Sequence, residues 1–211
     1  MNKGIVLITG LGVIIFALLA VLILVPSGEK VEPRSPKLHT TTMILTSSAF
    51  EHNGMIPKKF TCDGSTELTA GGGNINPELL IQNVPAEAKS LALILDDPDA
   101  PGGTFTHWTV WNIAASREAS LAPEGRDPFV VIKEGSKPPG SVEGKTDFGR
   151  VGYGGPCPPS GTHRYFFKLY ALDTLLNLPQ GAPRRELEAA MEQHILAHTE
   201  LMGTYERRRF P

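Results

Sequence analysis

Apolar positions along the chain fall into one long unbroken run and a series of short ones. The long run is Ile5 to Val25, where Thr9 is the only polar side chain. As a helix it is long enough to cross a bilayer core of roughly 30 Å. It exceeds a usual signal-peptide core, no small-x-small cleavage site follows it, and Pro26 would end it. These features predict an uncleaved transmembrane signal anchor over residues 1–25. A polar, Pro-containing linker over 26–42 and a folded domain over 43–211 follow. Lys3 lies before the run and Lys30, Arg34 and Lys37 after it, so charge balance does not set the orientation. A short tail before a long domain favours export, which predicts a membrane-anchored protein with its domain on the extracytoplasmic side.

The short runs read as strands. MILTSSAFEHNGMIPKKFTCDG places apolar residues around the turn dipeptide Asn53-Gly54. A Gly-rich loop then leads to a short strand near Leu79 to Gln82. Leu91 to Leu95 is a fully apolar run that stops at Asp96-Asp97-Pro98-Asp99. After the turn APGG, FTHWTVWNIAA is rich in aromatic and β-branched residues, so the two runs predict an antiparallel pair. Residues 116–151 are polar and irregular, with a short strand at Phe129 to Lys133. His163 to Leu172 is another strand. Pro183 to His198 reads as a helix with a stripe of Leu187, Met191 and Ile195, and Glu200 to Tyr205 as a closing strand. The fold class predicted is mainly β, two antiparallel sheets in a sandwich-like arrangement with a few peripheral helices, preceded by the N-terminal transmembrane helix.

Composition changes this picture little. Hydrophobic residues make up 41% of the 211, enough for a packed core, and the formal net charge of -2 gives no basic excess for nucleic acid. Eighteen Pro and 22 Gly spread between apolar runs fit a loop-rich β protein. The two cysteines, Cys62 and Cys157, fit no metal-ligand spacing. In an oxidising compartment an even count permits one disulfide between them; the alternative is two unpaired small apolar side chains.

Candidate chemistry gathers at strand ends. With side chains alternating at period two, Asp97 shares the face of Leu91, Leu93 and Leu95, and His107 that of Phe105, Thr109 and Trp111. His163 and Tyr165 share the face of Phe167, Leu169 and Ala171. If these faces pack on one core, carboxylates, imidazoles and a phenol collect at its rim, where polar groups need partners. Taken singly, each has a plain structural reading: Asp97 and Asp99 flank a turn proline, His107 is an edge histidine and Tyr165 a core tyrosine. Their shared placement beside proline-stiffened loops favours an anion site.

Two of these segments, DPDAPGGTFTHW and GYGGPCPPSGTHRY, resemble the signature segments of the phosphatidylethanolamine-binding protein family, also called Raf kinase inhibitor-like proteins, and most closely its bacterial and archaeal branch. The similarity runs from about Thr46 to Arg207. The resemblance implies a β fold of two antiparallel sheets and a pocket for phosphate-like groups, including phospholipid headgroups. It implies ligand-binding roles for Asp97, Asp99, His107, Gly155, Pro156, His163 and Tyr165; with no HExxH, GxSxG or P-loop pattern in the chain, no catalytic residue, metal or cofactor is expected. Departures are Asn76-Pro77-Glu78-Leu79-Leu80-Ile81, where the family usually carries a serine, two prolines and a tryptophan, and an insertion at Leu68 to Gly73. No counterpart of the C-terminal helix of animal members follows Tyr205. The function expected is a binding module for a small anionic ligand or phospholipid headgroup, with an unnamed protein partner. Alternatives are inhibition of a kinase or protease through loops in 116–151, and weak hydrolysis by the Asp/His cluster.

Overall fold

Alternating burial along three long strands organises the larger sheet. In the computed structural model, residues 42–64, 75–115 and 129–207 are described. They form β1 (Ile44–Thr46), β2 (Leu79–Gln82), β3 (Ser90–Asp97), β4 (Phe105–Ala114), β5 (Phe129–Ile132), β6 (Val142–Glu143), β7 (Thr162–Leu172), helix α1 (Arg184–Met191) and β8 (Ile195–Glu206). One 3-10 turn covers Lys58–Phe60. The small sheet has the order β1-β2-β5 and the large one β6-β4-β3-β7-β8, with every strand pair antiparallel.

The main core lies between the sheets. Leu45, Leu79, Ile81 and Ile132 from the small sheet meet Leu91, Leu93, Leu95, Trp108, Val110, Phe167 and Leu169 from the large one. Burying a leucine such as Leu93 completely contributes about 1.5–3 kcal/mol. Central β3 is buried on both faces, as its uninterrupted apolar run requires. Its other face, with Ala92 and Ile94, joins Trp111, Leu172, Leu187 and Met191 in a second cluster beneath α1. Asp96 at the end of that face is buried, and the ammonium of Lys168 and the guanidinium of Arg184, each 2.7 Å from Oδ2, compensate its charge.

Period-two alternation holds on β3 and β7 and fails on β4. Leu95 pairs with Trp108 but Asp96 pairs with Thr106, so His107 is the extra residue of a β-bulge. Trp108 and Val110 therefore face the main core, and Trp111 faces α1. A second irregularity lies between the Leu91 and Leu93 pairings, where Asn112 takes a φ of 57° and bonds both the N–H and the carbonyl of Leu176.

Several expectations are corrected. The helix predicted over Pro183–His198 stops at Met191, because from Ile195 the chain pairs with β7 along its whole length. The stripe position Ile195 belongs to a strand, and tertiary pairing overrides local helical periodicity. The fold class is also corrected: the described residues form one α-helix instead of a few, and none of them forms a transmembrane helix. Among the described residues, no helix is long and apolar enough to cross a membrane. The segment Ile5–Val25 that suggested the anchor lies outside the described residues, as do most of the 26–42 linker and the Leu68–Gly73 insertion. The membrane-anchored, extracytoplasmic localisation and the membrane contact through an N-terminal helix rested on that helix and are withdrawn with it.

Candidate functional site

The bulge in β4 is the local device that builds the site. An extra residue turns His107 out of the alternation, and the loop before β7 fixes it there. The Gly154 N–H donates to the His107 carbonyl at 2.8 Å, and His107 Nδ1 donates to the Gly154 carbonyl at 2.8 Å. A carbonyl only accepts, so Nδ1 carries the proton and Nε2 is the nitrogen left for a guest. His107 is buried, and burial holds its pKa below the ordinary histidine value of 6.5. The Gly154 carbonyl and the Asp97 and Asp147 carboxylates offset only part of that effect.

Asp97, from the end of β3, is likewise held from two sides. Its Oδ2 accepts from His163 Nδ1 at 2.7 Å and its Oδ1 from the Asp99 N–H at 2.8 Å. Tyr165 is fully buried, with its ring edge-on to His107 at 5.2 Å between centroids. Its hydroxyl lies near Asp97 and the Cys157 backbone without a close hydrogen bond among the described residues. Burial first, and then the Asp97 charge, push this phenol above the ordinary tyrosine range.

The stiff loop is pinned from below. Cys157 is joined to Cys62 by a disulfide with Cα atoms 5.3 Å apart. The Cys62 N–H donates to the Pro156 carbonyl at 3.1 Å, and the Tyr153 hydroxyl to the Phe60 carbonyl at 2.8 Å. Gly155 passes so close to this turn that a Cβ would stand 2.7 Å from the Phe60 carbonyl oxygen. Only glycine fits there.

These elements border a cavity of about 500 Å³. Of the residues singled out from the sequence, Asp97, His107 and Cys157 line it. His163 and Tyr165 stand behind that lining, bonded to Asp97 and packed on His107 respectively. Gly155 and Pro156 are buried supports of the loop. Asp99 is turned elsewhere: its carboxylate accepts from the Arg164 N–H, Nε and Nη2 at 2.9, 2.9 and 2.7 Å. That guanidinium pulls its pKa down to about 2.

Sequence reasoning passed over the opposite wall. Phe105, Asp147, Phe148, Pro101 and Pro159 also line the cavity. Phe148 packs edge-on against Phe105 at 4.7 Å and His107 at 5.2 Å, with Arg150 stacked over it at 5.1 Å. Asp147 zips its loop to the bulge, accepting from the Thr106 N–H at 2.6 Å and donating its own N–H to the Thr106 carbonyl at 3.0 Å. Pro101, Phe105 and Pro159 lay inside the two motif segments already noted. Asp147 and Phe148 sit in a stretch without periodicity, where an acid beside an aromatic was the only signal.

Similarity to known proteins agrees with this layout. The sequence model of the phosphatidylethanolamine-binding protein family matches residues 46–206. A UPF0098 protein of Pyrococcus horikoshii is 49% identical over 169 residues, covering 78% of this chain and 77% of its own. A UPF0098 protein of Methanothermobacter thermautotrophicus is 48% identical over 168 residues, covering 78% and 99%. Among solved structures, a phosphatidylethanolamine-binding protein homologue from Chlamydia trachomatis superimposes with a TM-score of 0.66 at 39% identity, covering 79% of this chain and 99% of that one. Escherichia coli YbcL, described as a member of the mammalian family, does so with a TM-score of 0.64 at 28% identity and the same coverage. With the two motif segments meeting at one end of the large sheet and these relatives spanning almost all of the described residues, the chain belongs to the phosphatidylethanolamine-binding protein family.

Proposed function

We propose that the chain is a binding module whose cavity takes a small anionic group, the phosphate-like part of a phospholipid headgroup, a phosphorylated small molecule or a phosphorylated side chain. The observation that carries this reading is the fixed imidazole of His107, with Nδ1 committed to the Gly154 carbonyl and the residue lining the cavity. Protonation at Nε2 gives that nitrogen a charge-assisted bond to an anion. The acidic lining does not oppose this strongly. Both Asp97 oxygens and one Asp147 oxygen already accept internal hydrogen bonds, and their remaining charge suits an amine on the same guest. Phe105, Phe148, Pro101 and Pro159 supply apolar walls for its organic part. The one cysteine lining the cavity, Cys157, is held in a disulfide and offers no free thiol nucleophile.

Because burial depresses the His107 pKa, the imidazole is mostly neutral at neutral pH, and anion affinity rises as pH falls from 7.5 toward 5.5. Calorimetric titration with inorganic phosphate and phosphoethanolamine checks this. Loss of the charge-assisted bond in His107→Ala, about 1.5–3 kcal/mol, weakens binding roughly tenfold to hundredfold and flattens the pH dependence. Equal affinity in wild type and variant would contradict the proposal.

A further inference from the structure

The disulfide and the cavity meet at a single residue. Cys157 lines the cavity, whereas Cys62 lies across the bond in the turn after Lys58–Phe60 and does not line it. Cutting the bond would leave the loop seated, since the Cys62 N–H to Pro156 carbonyl bond, the Tyr153 hydroxyl to Phe60 carbonyl bond and the Gly155 packing all join the same two segments. Pro156 and Pro158, on either side of Cys157, are buried and stiffen its backbone further. A disulfide-bonded cysteine that lines a roomy cavity, on a loop held by contacts besides its bond, is addressable by a small molecule.

We propose that Cys157 is a thiol–disulfide exchange site open to the cavity, where a small-molecule thiol becomes attached and fills the volume a ligand needs. A thiolate entering the cavity attacks the sulfur of Cys157 along the axis of the disulfide. A new S–S bond forms between the guest and Cys157. The bond to Cys62 breaks, and its electron pair leaves on Cys62 as a thiolate that takes a proton from water. The guest sulfur is oxidised and Cys62 reduced, so no outside oxidant takes part. In the reverse step the Cys62 thiolate attacks Cys157, expels the guest and restores the disulfide. Attack from the cavity selects Cys157 because the opposite end of the bond does not face it. The adduct projects toward His107 and Asp97 and shuts the site. This last consequence rests on the anion-binding reading; the exchange itself does not.

The test uses the full chain under native conditions with 2-mercaptoethanesulfonate as the thiol. Acid quenching, intact mass and peptide mapping then locate the adduct. The expected result is one adduct, on Cys157, with Cys62 free, and a dissociation constant for inorganic phosphate at least tenfold weaker in the modified protein. Cys62→Ser, checked for folding by circular dichroism, provides a second arm: its lone Cys157 thiol forms a mixed disulfide with an aromatic disulfide reagent, and saturating inorganic phosphate slows that reaction. Modification on Cys62, modification equal at both sulfurs, or reaction only in denaturant would overturn the proposal. An adduct confined to Cys157, in a protein whose unmodified form does not bind phosphate, would uphold the exchange site and remove the anion reading.

Discussion

Asp99 shows how little the residue type alone decides. Sequence spacing grouped it with Asp97, yet two positions along a turn are enough to separate their roles. Asp97 turns in to His163 and the cavity, while Asp99 turns out to a bidentate contact with Arg164. The guanidinium lowers the Asp99 pKa from 3.8 to about 2. A folded pKa below the unfolded one gives stability that is present above about 4 and lost as pH falls toward 2. Carbon-detected NMR titration is expected to place the Asp99 carboxyl inflection near 2 in the wild type and back toward 3.8 in Arg164→Ala; identical inflections would contradict the contact. His107 follows the same sign rule. Its depressed folded pKa means the neutral form is favoured by the fold, so the associated stability is present above about 6.5 and is lost as pH falls below that value.

At the scale of elements, the site is made by departures from regularity, and those are what the sequence hid. The apolar runs announced β2, β3 and β7 because alternation and length leave few other readings. Alternation along β3 and β7 leaves Asp97, His163 and Tyr165 buried, with His163 bonded to Asp97. The faces of β4 were misassigned, since a bulge has no sequence signature as plain as the Asn53-Gly54 turn, and one inserted residue exchanges the faces of Thr109 and Val110. The helix overrun had a similar cause: Ile195 and His198 fit a helical face locally, but pairing with β7 satisfies more backbone groups. The Gly-Gly-Pro-Cys-Pro-Pro segment was legible as a stiff connector, though not as a surface pressed against the 61–64 turn. That contact predicts the behaviour of Gly155→Ala. The new Cβ would meet the Phe60 carbonyl oxygen at 2.7 Å and the Thr61 Cα at 2.8 Å, both of them backbone atoms unable to yield as a side chain does. Urea denaturation is expected to show a loss of roughly 1–3 kcal/mol, with the His107–Gly154 bonds loosened in parallel; an unchanged midpoint would refute the close approach.

At the scale of the whole molecule, two sheets clasp the main core, and one covalent bond ties the turn after Lys58–Phe60 to the loop before β7. Cys62 and Cys157 are 95 residues apart, and closing so long a loop restricts the unfolded chain by about 4–5 kcal/mol in the chain-entropy account. Replacing both cysteines by serine should therefore lower unfolding stability by up to that amount while leaving the sheet order intact. A loss below about 1 kcal/mol would show that the unfolded ensemble is hardly constrained by the bond. The pairing stood open at the sequence level because only the fold brings those two turns together. The cavity has the same origin: its walls come from the ends of β3 and β4 and from two loops, so no single stretch of sequence contains it. The account as a whole rests on an anion seating itself at His107. Crystals soaked in arsenate and measured for anomalous scattering test this directly: the predicted result is a peak within hydrogen-bond reach of His107 Nε2, stronger in crystals held near pH 5.5 than near pH 7.5, and peaks confined to other parts of the surface at both pH values would contradict it.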